Sequence, residues 1–275
     1  MITDITIGQY FPGKSFIHKM DARMKIILTF AVIVSLFFCK NLISLLVVVF
    51  GVVSVVAISK IPFKTIFKSI KPLGIIIVIT SLLNLFYGKG EPLFKIFGLK
   101  VTADGIETAV FMAVRIILLV IVGSMLTYTT SPTDITDALE RLLKPLTYVK
   151  VDVHTIAMTM TIALRFIPTL IEEIDKIMSA QKSRGADLES GGLIRRAKAL
   201  IPILIPLFIS SFRRANELAY AMECRCYRGG EGRTKMKVVK MEARDYVALV
   251  VVAIFIALIF VSNKYLAAVL WGICY

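Results

Sequence analysis

The stretch Leu42-Ile-Ser-Leu-Leu-Val-Val-Val-Phe-Gly-Val-Val-Ser-Val-Val-Ala-Ile-Ser59 contains no charged side chain. A helix of this length rises about 27 Å, close to the roughly 30 Å hydrocarbon thickness of a bilayer. The preceding run Ile26–Cys39 is also apolar, and only Lys40 and Asn41 separate the two. The pattern predicts a helical hairpin in a membrane. Because the first arm reaches only about 21 Å, Arg23–Lys25 should extend its helix and direct their charges back to the membrane surface.

Three further runs have the length and polarity of membrane spans. They are Leu73–Tyr87, Ile106–Thr127 and Tyr246–Val261, the last of which could continue to Trp271. The second carries Arg115, for which two interpretations stay open: a charge that lines an ion path, or an anchor for neighbouring helices. The sequence therefore predicts five transmembrane helices.

The composition agrees with a membrane protein. Hydrophobic residues make up 57% of the 275 residues, against roughly 45–50% in soluble domains even with Gly counted. The formal net charge is +14, but a nucleic-acid binder would carry its basic residues on a polar surface, and a disordered chain would need low hydrophobicity. Both classes are excluded. Four cysteines are too few for a disulfide scaffold, and the N-terminal residues lack a secretory signal, so insertion should rely on internal segments.

The basic residues are distributed unevenly along the predicted topology. Of 33 Lys and Arg, 27 lie in the segment up to Lys25, the loop between the second and third spans, and the segment Ser131–Asp245. Five lie in the opposite loops. Short cytosolic loops collect Lys and Arg, so we expect a cell-membrane protein with a cytosolic N-terminus and an external C-terminus.

The long cytosolic segment contains two apolar runs, Thr155–Leu164 and Leu200–Phe212, which are shorter than a membrane span. They predict two long amphipathic helices at the cytosolic face, roughly Val153–Arg184 and Leu193–Arg225. A shorter helix should begin at Ser131–Asp134. The predicted fold class is all-α, a polytopic membrane protein with five transmembrane helices and a cytosolic module of amphipathic helices. The predicted divisions are 1–130, 131–245 and 246–275.

Three motifs suggest chemistry but lack its context. Gly8-Gln-Tyr-Phe-Pro-Gly-Lys-Ser15 matches the phosphate-binding pattern G-x-x-x-x-G-K-[ST], yet a membrane hairpin follows where an α/β sheet is needed, so a surface turn is favoured. His18 and His154 have no partner at metal-ligand spacing, and Cys224-Arg-Cys226 lacks a second cysteine pair. We therefore expect no cofactor, no metal, no direct ATP binding and no enzymatic activity.

Two similar motifs end the two long amphipathic helices. Ser183-Arg184-Gly185 and Cys224-Arg225-Cys226 each present an Arg between small residues. One interpretation is helix capping, because an Arg in the last turn gains about 0.3–1 kcal/mol from the helix dipole. The other is docking, in which an unobstructed guanidinium enters a groove on another protein and binds carboxylates there.

The chain resembles the transmembrane T component of energy-coupling factor (ECF) transporters over nearly its whole length. Besides the two Arg motifs, the matching segments are Gly8–Lys25, Ala163–Pro168, Arg213–Ala215 and Arg228–Gly230. The departures are Met20 and Ala22 for Leu and Pro, Ser183 for Ala, and Cys224 and Cys226 for Ala and Gly. The residues beside each Arg stay small, although a Cys where Gly is expected could change the helix ending.

The resemblance implies a scaffold that links two ABC-type ATPase subunits to a membrane S component, which captures a vitamin or metal ion. It implies that Arg184 and Arg225 dock into the ATPase subunits and that the amphipathic helices hold the S component, which topples on ATP hydrolysis. Residues expected to shape these helices are Arg165, Pro168, Pro202, Pro206 and Glu223.

Several alternatives stay open. The opening segment looks more like T components shared among several S components, and the runner-up is a T component dedicated to cobalt, nickel or biotin uptake. From the residues alone, a membrane-embedded enzyme acting on an anionic lipid and a simple channel are the rival classes. Only a coupling scaffold should need ATPase partners.

Overall fold

The computed structural model describes residues 10–39, 41–86, 92–96, 99–186, 192–229 and 241–273. Within these ranges the regular secondary structure is helical apart from one short antiparallel hairpin, which confirms the predicted all-α class. The elements are α1 (Ala22–Phe38), α2 (Leu42–Ser59), α3 (Phe63–Ile70), α4 (Gly74–Phe86), β1 (Pro92–Ile96), β2 (Leu99–Thr102), α5 (Ala103–Thr129), α6 (Pro132–Leu143), α7 (Val153–Ser183), α8 (Leu193–Glu223) and α9 (Ala243–Ile273). Short 3₁₀ turns precede α4 and follow α6. The hairpin was not expected from the sequence.

Five helical stretches of the described chain are long and apolar enough to cross a membrane. They are Leu42–Ser59, Phe63–Phe86, Asp104–Thr129, Val153–Ser183 and Ala243–Lys264. Four of these coincide with predicted spans. The two differences are α1, whose 17 residues fall just short of a span, and α7, which was predicted to lie at the cytosolic face.

Only the first half of α7 is apolar enough to make this helix a candidate span. The mean hydropathy of its apolar 18-residue window is 1.3, the lowest of the five candidates. The window 153–170 contains one formal charge, Arg165, whereas Glu172, Glu173, Asp175 and Lys176 follow within the next turns. Length and polarity therefore make α7 a candidate span through its N-terminal half only.

The chain separates into two compact units. One unit contains α7, α8 and most of α6. The other contains α1 to α5, the start of α6, and α9, and we call it the membrane unit.

The core of the membrane unit forms around α5 and α2. Leu36, Val48, Leu118 and Ile259 are buried there and come from four different helices. At Gly51 the helices α2 and α9 approach so closely that a Cβ atom would lie 2.4 Å from the Phe255 ring. The absence of a side chain at this position therefore allows the two helices to pack.

Arg115 is an anchor within this unit. Its Nη2 donates to the carbonyl oxygen of Cys39 at 2.7 Å, and its guanidinium lies 4.7 Å from the centre of the Phe111 ring. Asn263 donates to the neighbouring carbonyl of Phe38 at 2.8 Å. The last carbonyl groups of a helix lack intrahelical partners, so Arg115 and Asn263 cap the end of α1. This geometry supports the anchoring interpretation of Arg115.

Lys25 corrects a prediction from the sequence. Its side chain does not turn out to the membrane surface but is buried, and Nζ donates to the carbonyl oxygens of Thr129 at 2.9 Å and His18 at 3.1 Å. Burial lowers the pKa of Lys25 to about 8. The neighbouring Arg23 pairs with Asp21 at 2.6 Å. The length of the apolar run predicts a Lys25 side chain at the membrane surface, but it contains no information on the carbonyl groups at the end of α5.

The N-terminal segment ties together the ends of two other helices. The Phe11 amide donates to the Tyr128 carbonyl of α5 at 2.9 Å. Asp245, at the start of α9, accepts from the backbone amides of Asp21 and Glu242, both at 2.9 Å. Residues 10–21 are therefore held within the membrane unit by these hydrogen bonds.

Candidate coupling site

The helices α7 and α8 pack against each other in opposite directions. Glu173 accepts hydrogen bonds from Arg214 Nη2 at 2.9 Å and from the Ser210 hydroxyl. Nearer the other end, the Tyr227 hydroxyl donates to Met158 Sδ at 3.1 Å. The residue numbers fall along α7 as they rise along α8, so the pair is antiparallel. The C-terminus of each helix consequently lies beside the N-terminal part of the other.

Prolines interrupt the hydrogen bonding of both helices. Pro168 lies inside α7, and Pro202 and Pro206 lie inside α8. Pro206 has no N–H group, so the carbonyl of Pro202 loses its intrahelical donor. Gln181 of α7 donates to this carbonyl through Nε2 at 3.5 Å. The proline positions thus create an acceptor that the partner helix uses.

The end of α7 is a Schellman motif. The amide of Ala186 donates to the carbonyl of Gln181 at 3.0 Å, and that of Gly185 donates to Lys182 at 3.0 Å. Gly185 has φ of +84°, the left-handed conformation that this motif requires and that glycine adopts without strain. Arg184 is therefore the last residue before the chain reverses.

The end of α8 has the same hydrogen-bond pattern. The amide of Tyr227 donates to the carbonyl of Met222 at 3.0 Å, and that of Cys226 donates to Glu223 at 2.8 Å. Cys226 is the left-handed residue, with φ of 56°. The Cys in place of Gly therefore does not change the helix ending, and Arg225 holds the position that Arg184 holds in α7.

Both arginines are exposed, as are the four small residues beside them. Among the residues that the structure describes, neither guanidinium has a hydrogen bond or an ion pair. The antiparallel register places Arg184 beside the first third of α8, whereas Arg225 follows the end of that helix. With a rise of about 1.5 Å per residue along α8, the two arginines are roughly 40 Å apart. Within the part of the chain that the structure describes, the unit thus presents two equivalent cations without partners, at opposite ends of one helix pair.

The remaining predicted residues lie along the helix pair, and Glu223 is two residues before Arg225. Arg165 and Pro168 are exposed in the middle of α7, Pro202 is exposed in α8, and Glu223 is exposed in its last turn. The cross-helix residues Glu173 and Ser210 were not identified from the sequence. Their partnership could be found only once the antiparallel register was known.

An exposed apolar stripe runs along α8. Its members recur at helical spacing and are between 45% and 67% exposed: Ile201, Leu204, Ile205, Phe208 and Phe212. Ile203, on another face of the helix, is buried. Exposed apolar patches of this extent mark contacts with a protein or a membrane. The predicted amphipathic character of α8 is therefore present, with its apolar side open.

The other sequence motifs gain no chemical role in the described chain. Residues 10–14 form no regular element, α1 begins only at Ala22, and the Ser15 hydroxyl is hydrogen-bonded to His18 Nδ1 at 2.7 Å. The strand–loop–helix context of a phosphate loop is not present in the segment from Tyr10 onward. No group of three potential metal ligands occurs among the described residues, Cys224 and Cys226 included.

Known proteins similar to this chain are transporter components. The CbiQ family, described as cobalt transport protein, matches residues 13–236. The energy-coupling factor transporter transmembrane protein EcfT of Clostridium kluyveri is 53% identical over 99% of this chain and 100% of that protein. The protein of the same description from Ruminiclostridium cellulolyticum is 52% identical over 93% of this chain and 96% of that protein. The one from Bacillus subtilis is 41% identical over 94% of this chain and 98% of that protein.

The family model and the relatives each cover most of the chain, and the relatives are matched over nearly their own full length. The resemblance inferred from the opening segment and the two Arg motifs is thereby confirmed. The chain belongs to the energy-coupling factor transporter transmembrane protein family, EcfT, and is a non-enzymatic, multi-pass membrane component of an ECF transporter.

Proposed function

We propose that this T component couples ATP hydrolysis by two ABC-type ATPase subunits to the movement of a membrane S component. The observation that carries the proposal is the pair of equivalent helix ends, each presenting one exposed Arg without a partner in the described chain. Arg184 and Arg225 are the proposed anchors, with Ser183, Gly185, Cys224 and Cys226 as the small residues that let a groove close around them.

The geometry of the helix ends suits docking better than capping. A capping Arg would fold back toward the last carbonyl groups of its helix. Here the Schellman hydrogen bonds already occupy those of Gln181 and Met222. Each planar guanidinium can therefore form paired bonds with a partner carboxylate. Two such ends, roughly 40 Å apart by helical rise, match two ATPase subunits with one groove each.

The S component is proposed to bind along the exposed apolar stripe of α8. Exposing this stripe to water would be unfavourable, because burial of one large apolar side chain stabilises a protein by about 1.5–3 kcal/mol. A membrane-embedded partner would cover it. The cargo would be a vitamin or another micronutrient, and its identity would be determined by the S component.

We further propose that the chain serves several S components. The similarity of its opening segment to shared T components supports this. The alternative is a T component dedicated to one cobalt, nickel or biotin system, and the family description as a cobalt transport protein favours the cobalt case. Recovery of two different S components with the purified chain would support sharing, and recovery of one alone would support the alternative.

The proposed orientation places the N-terminus and the α7–α8 pair in the cytosol and the C-terminus outside. The unequal distribution of Lys and Arg supports it. This orientation is also the one that makes the two arginines accessible to cytosolic ATPases.

The test of coupling is a set of Arg variants assayed for ATPase co-purification and substrate uptake. Arg184→Ala and Arg225→Ala should each lose uptake more than assembly, because one anchor still holds the complex. The double Ala variant should release the ATPases, because it removes the Arg from both anchoring ion pairs. Removing one partner of a buried ion pair costs on the order of 2–5 kcal/mol. Arg→Lys should restore little, because an ammonium group lacks the planar fork.

A matched control separates anchoring from general loss of charge. Arg213→Ala removes an exposed Arg from the side of α8 rather than from a helix end, and uptake should stay near wild type. Full uptake in the double Ala variant would refute the proposal. So would equal losses in Arg213→Ala and Arg225→Ala.

A further inference from the structure

The short helix α3 is fixed to the membrane unit by one face. Ile66 is 6% exposed and belongs to the core of that unit. The Tyr128 hydroxyl of α5 is hydrogen-bonded to the Ser69 hydroxyl and donates to the carbonyl of Thr65 at 3.4 Å. Because this face is held by α5, the rotation of α3 about its axis is determined.

The opposite face combines aromatic and basic side chains. Phe63 and Phe67 are each 70% exposed, and Lys64, Lys68 and Lys71 are exposed beside them. Residues three or four apart are neighbours on a helix surface, so the two Phe form one ridge and the three Lys form a second ridge next to it. We call this surface the Phe-Lys face.

The charge of the Phe-Lys face has no compensation nearby in the sequence. No Asp or Glu occurs between Asp21 and Glu91. Among the described residues, none of the three Lys has an ion pair. A ligand for this face should therefore carry negative charge.

The position of α3 determines which anionic ligand fits. The helix follows directly on α2, and together with α4 it forms the candidate span Phe63–Phe86. The Phe-Lys face consequently lies where a span begins, at the level of lipid headgroups. Aromatic side chains in such a face enter the boundary between headgroups and acyl chains, while Lys attracts anionic lipids.

We propose that the Phe-Lys face binds the headgroups of anionic phospholipids in the bilayer. The phosphodiester groups would accept hydrogen bonds from Lys64, Lys68 and Lys71, and the rings of Phe63 and Phe67 would lie against the upper acyl chains. A soluble phosphate compound could satisfy the Lys ridge but would leave the aromatic ridge in water. The two ridges side by side therefore favour a lipid, and the inference does not depend on the coupling proposal.

The test compares lipid retention by the purified full chain. Wild type and Lys64→Gln/Lys68→Gln are placed in nanodiscs of phosphatidylcholine with a minor fraction of phosphatidylglycerol, and the lipids that remain bound are counted by native mass spectrometry. Each Lys near a membrane surface contributes about 1 kcal/mol to the attraction of anionic lipid. The double variant, which loses about 2 kcal/mol, should therefore retain roughly thirtyfold less phosphatidylglycerol, with phosphatidylcholine unchanged.

Matched variants decide whether the effect belongs to this face. Lys14→Gln/Lys19→Gln removes the same charge from the exposed N-terminal segment and should retain phosphatidylglycerol as wild type does. Lys64→Arg/Lys68→Arg preserves the charge and should retain it too, which also shows that changes at these positions are tolerated. Equal losses in the two Gln variants would overturn the proposal, because they would indicate a general charge effect.

A competition experiment with soluble phosphate distinguishes a lipid headgroup from a free phosphate ligand. Inorganic phosphate, added at matched ionic strength against sodium chloride, should release no more phosphatidylglycerol than the chloride does. Specific release by phosphate would overturn the assignment to lipid headgroups. Retention that resists high salt would do so as well, since contacts of exposed Lys are screened within about 3 Å at 1 M salt.

Discussion

Cys226 holds a backbone conformation that non-glycine residues adopt at a cost of about 1–2 kcal/mol. Replacing it with Gly should therefore stabilise the end of α8 by about 1 kcal/mol, and Gly185→Ala should destabilise the end of α7 by a similar amount. The hydrogen-exchange rate of the Tyr227 amide, which donates to the Met222 carbonyl, measures the stability of this helix end. The exchange should be several-fold slower in Cys226→Gly. Unchanged or faster exchange would contradict the strain at Cys226.

Lys25 should make stability depend on pH in an uncommon direction. Burial lowers its pKa from 10.5 to about 8, so between these values the folded chain binds fewer protons than the unfolded chain. Stability rises with pH where the unfolded state binds more protons. The contribution of Lys25 should therefore increase from about pH 8 to 10.5, by about 3 kcal/mol at one pKa unit per 1.36 kcal/mol.

Thermal unfolding of the detergent-purified chain across this pH range measures the effect. Lys25→Met should flatten the rise relative to wild type. Lys19→Met removes an exposed Lys and should leave the pH profile parallel to that of wild type. Parallel profiles for Lys25→Met and wild type would show that burial of Lys25 does not control its protonation.

At the scale of helices, the contact of Glu173 with Arg214 sets the register of α7 against α8. Both side chains are partly buried, so their coupling should exceed that of a fully exposed pair, which is typically 0.2–1 kcal/mol. A double-mutant cycle of Glu173→Gln and Arg214→Gln should give a coupling energy of about 1 kcal/mol in thermal unfolding. The neighbours Glu172 and Arg213 provide the control, because both are exposed, and their cycle should give a value near zero. Equal couplings for the two cycles would refute the register role.

Helix boundaries were predictable because the sequence marks them locally. The short helix α6 was expected to start at Ser131–Asp134, and the Ser131 hydroxyl indeed accepts from the Asp134 amide at 3.1 Å. The ends of α7 and α8 lie within two residues of the predicted ones. Serine caps and glycine breaks act over three or four residues, which a single sequence contains in full.

Features that depend on distant partners were not predictable. The burial of Lys25 requires the carbonyl of Thr129, which is 104 residues away in the chain. Similarly, Glu173 acquires its role only from residues on α8. The two arginines were identified as candidates from their small neighbours, but the shared Schellman motif requires the backbone hydrogen bonds. Sequence periodicity determines which face of a helix is apolar, whereas the partner of that face is a property of the packed chain.

At the scale of the whole molecule, hydropathy and the distribution of charge predict different topologies for α7. By length and polarity it is a candidate span, and counting it would place its two ends on opposite sides of the membrane. The distribution of basic residues instead favours one side for the whole segment Ser131–Asp245. The charged second half of α7 and the ion pair of Glu173 with α8 lie outside the apolar window 153–170, so any crossing would be limited to the first half of the helix, because an ion pair in hydrocarbon carries a large desolvation cost.

Cysteine accessibility in intact cells distinguishes the two topologies. In a variant without the four native cysteines, single cysteines are introduced at Ala186, beside the end of α7, at Asp152, before its start, and at Lys264 on α9. An impermeant thiol reagent should label Lys264→Cys in intact cells, and should label the other two only after permeabilisation. The reason is that Ala186 and Asp152 both belong to the cytosolic side if α7 does not cross. Labelling of Ala186→Cys but not Asp152→Cys from outside would mean that α7 spans the bilayer, and Arg184 would then be out of reach of a cytosolic ATPase.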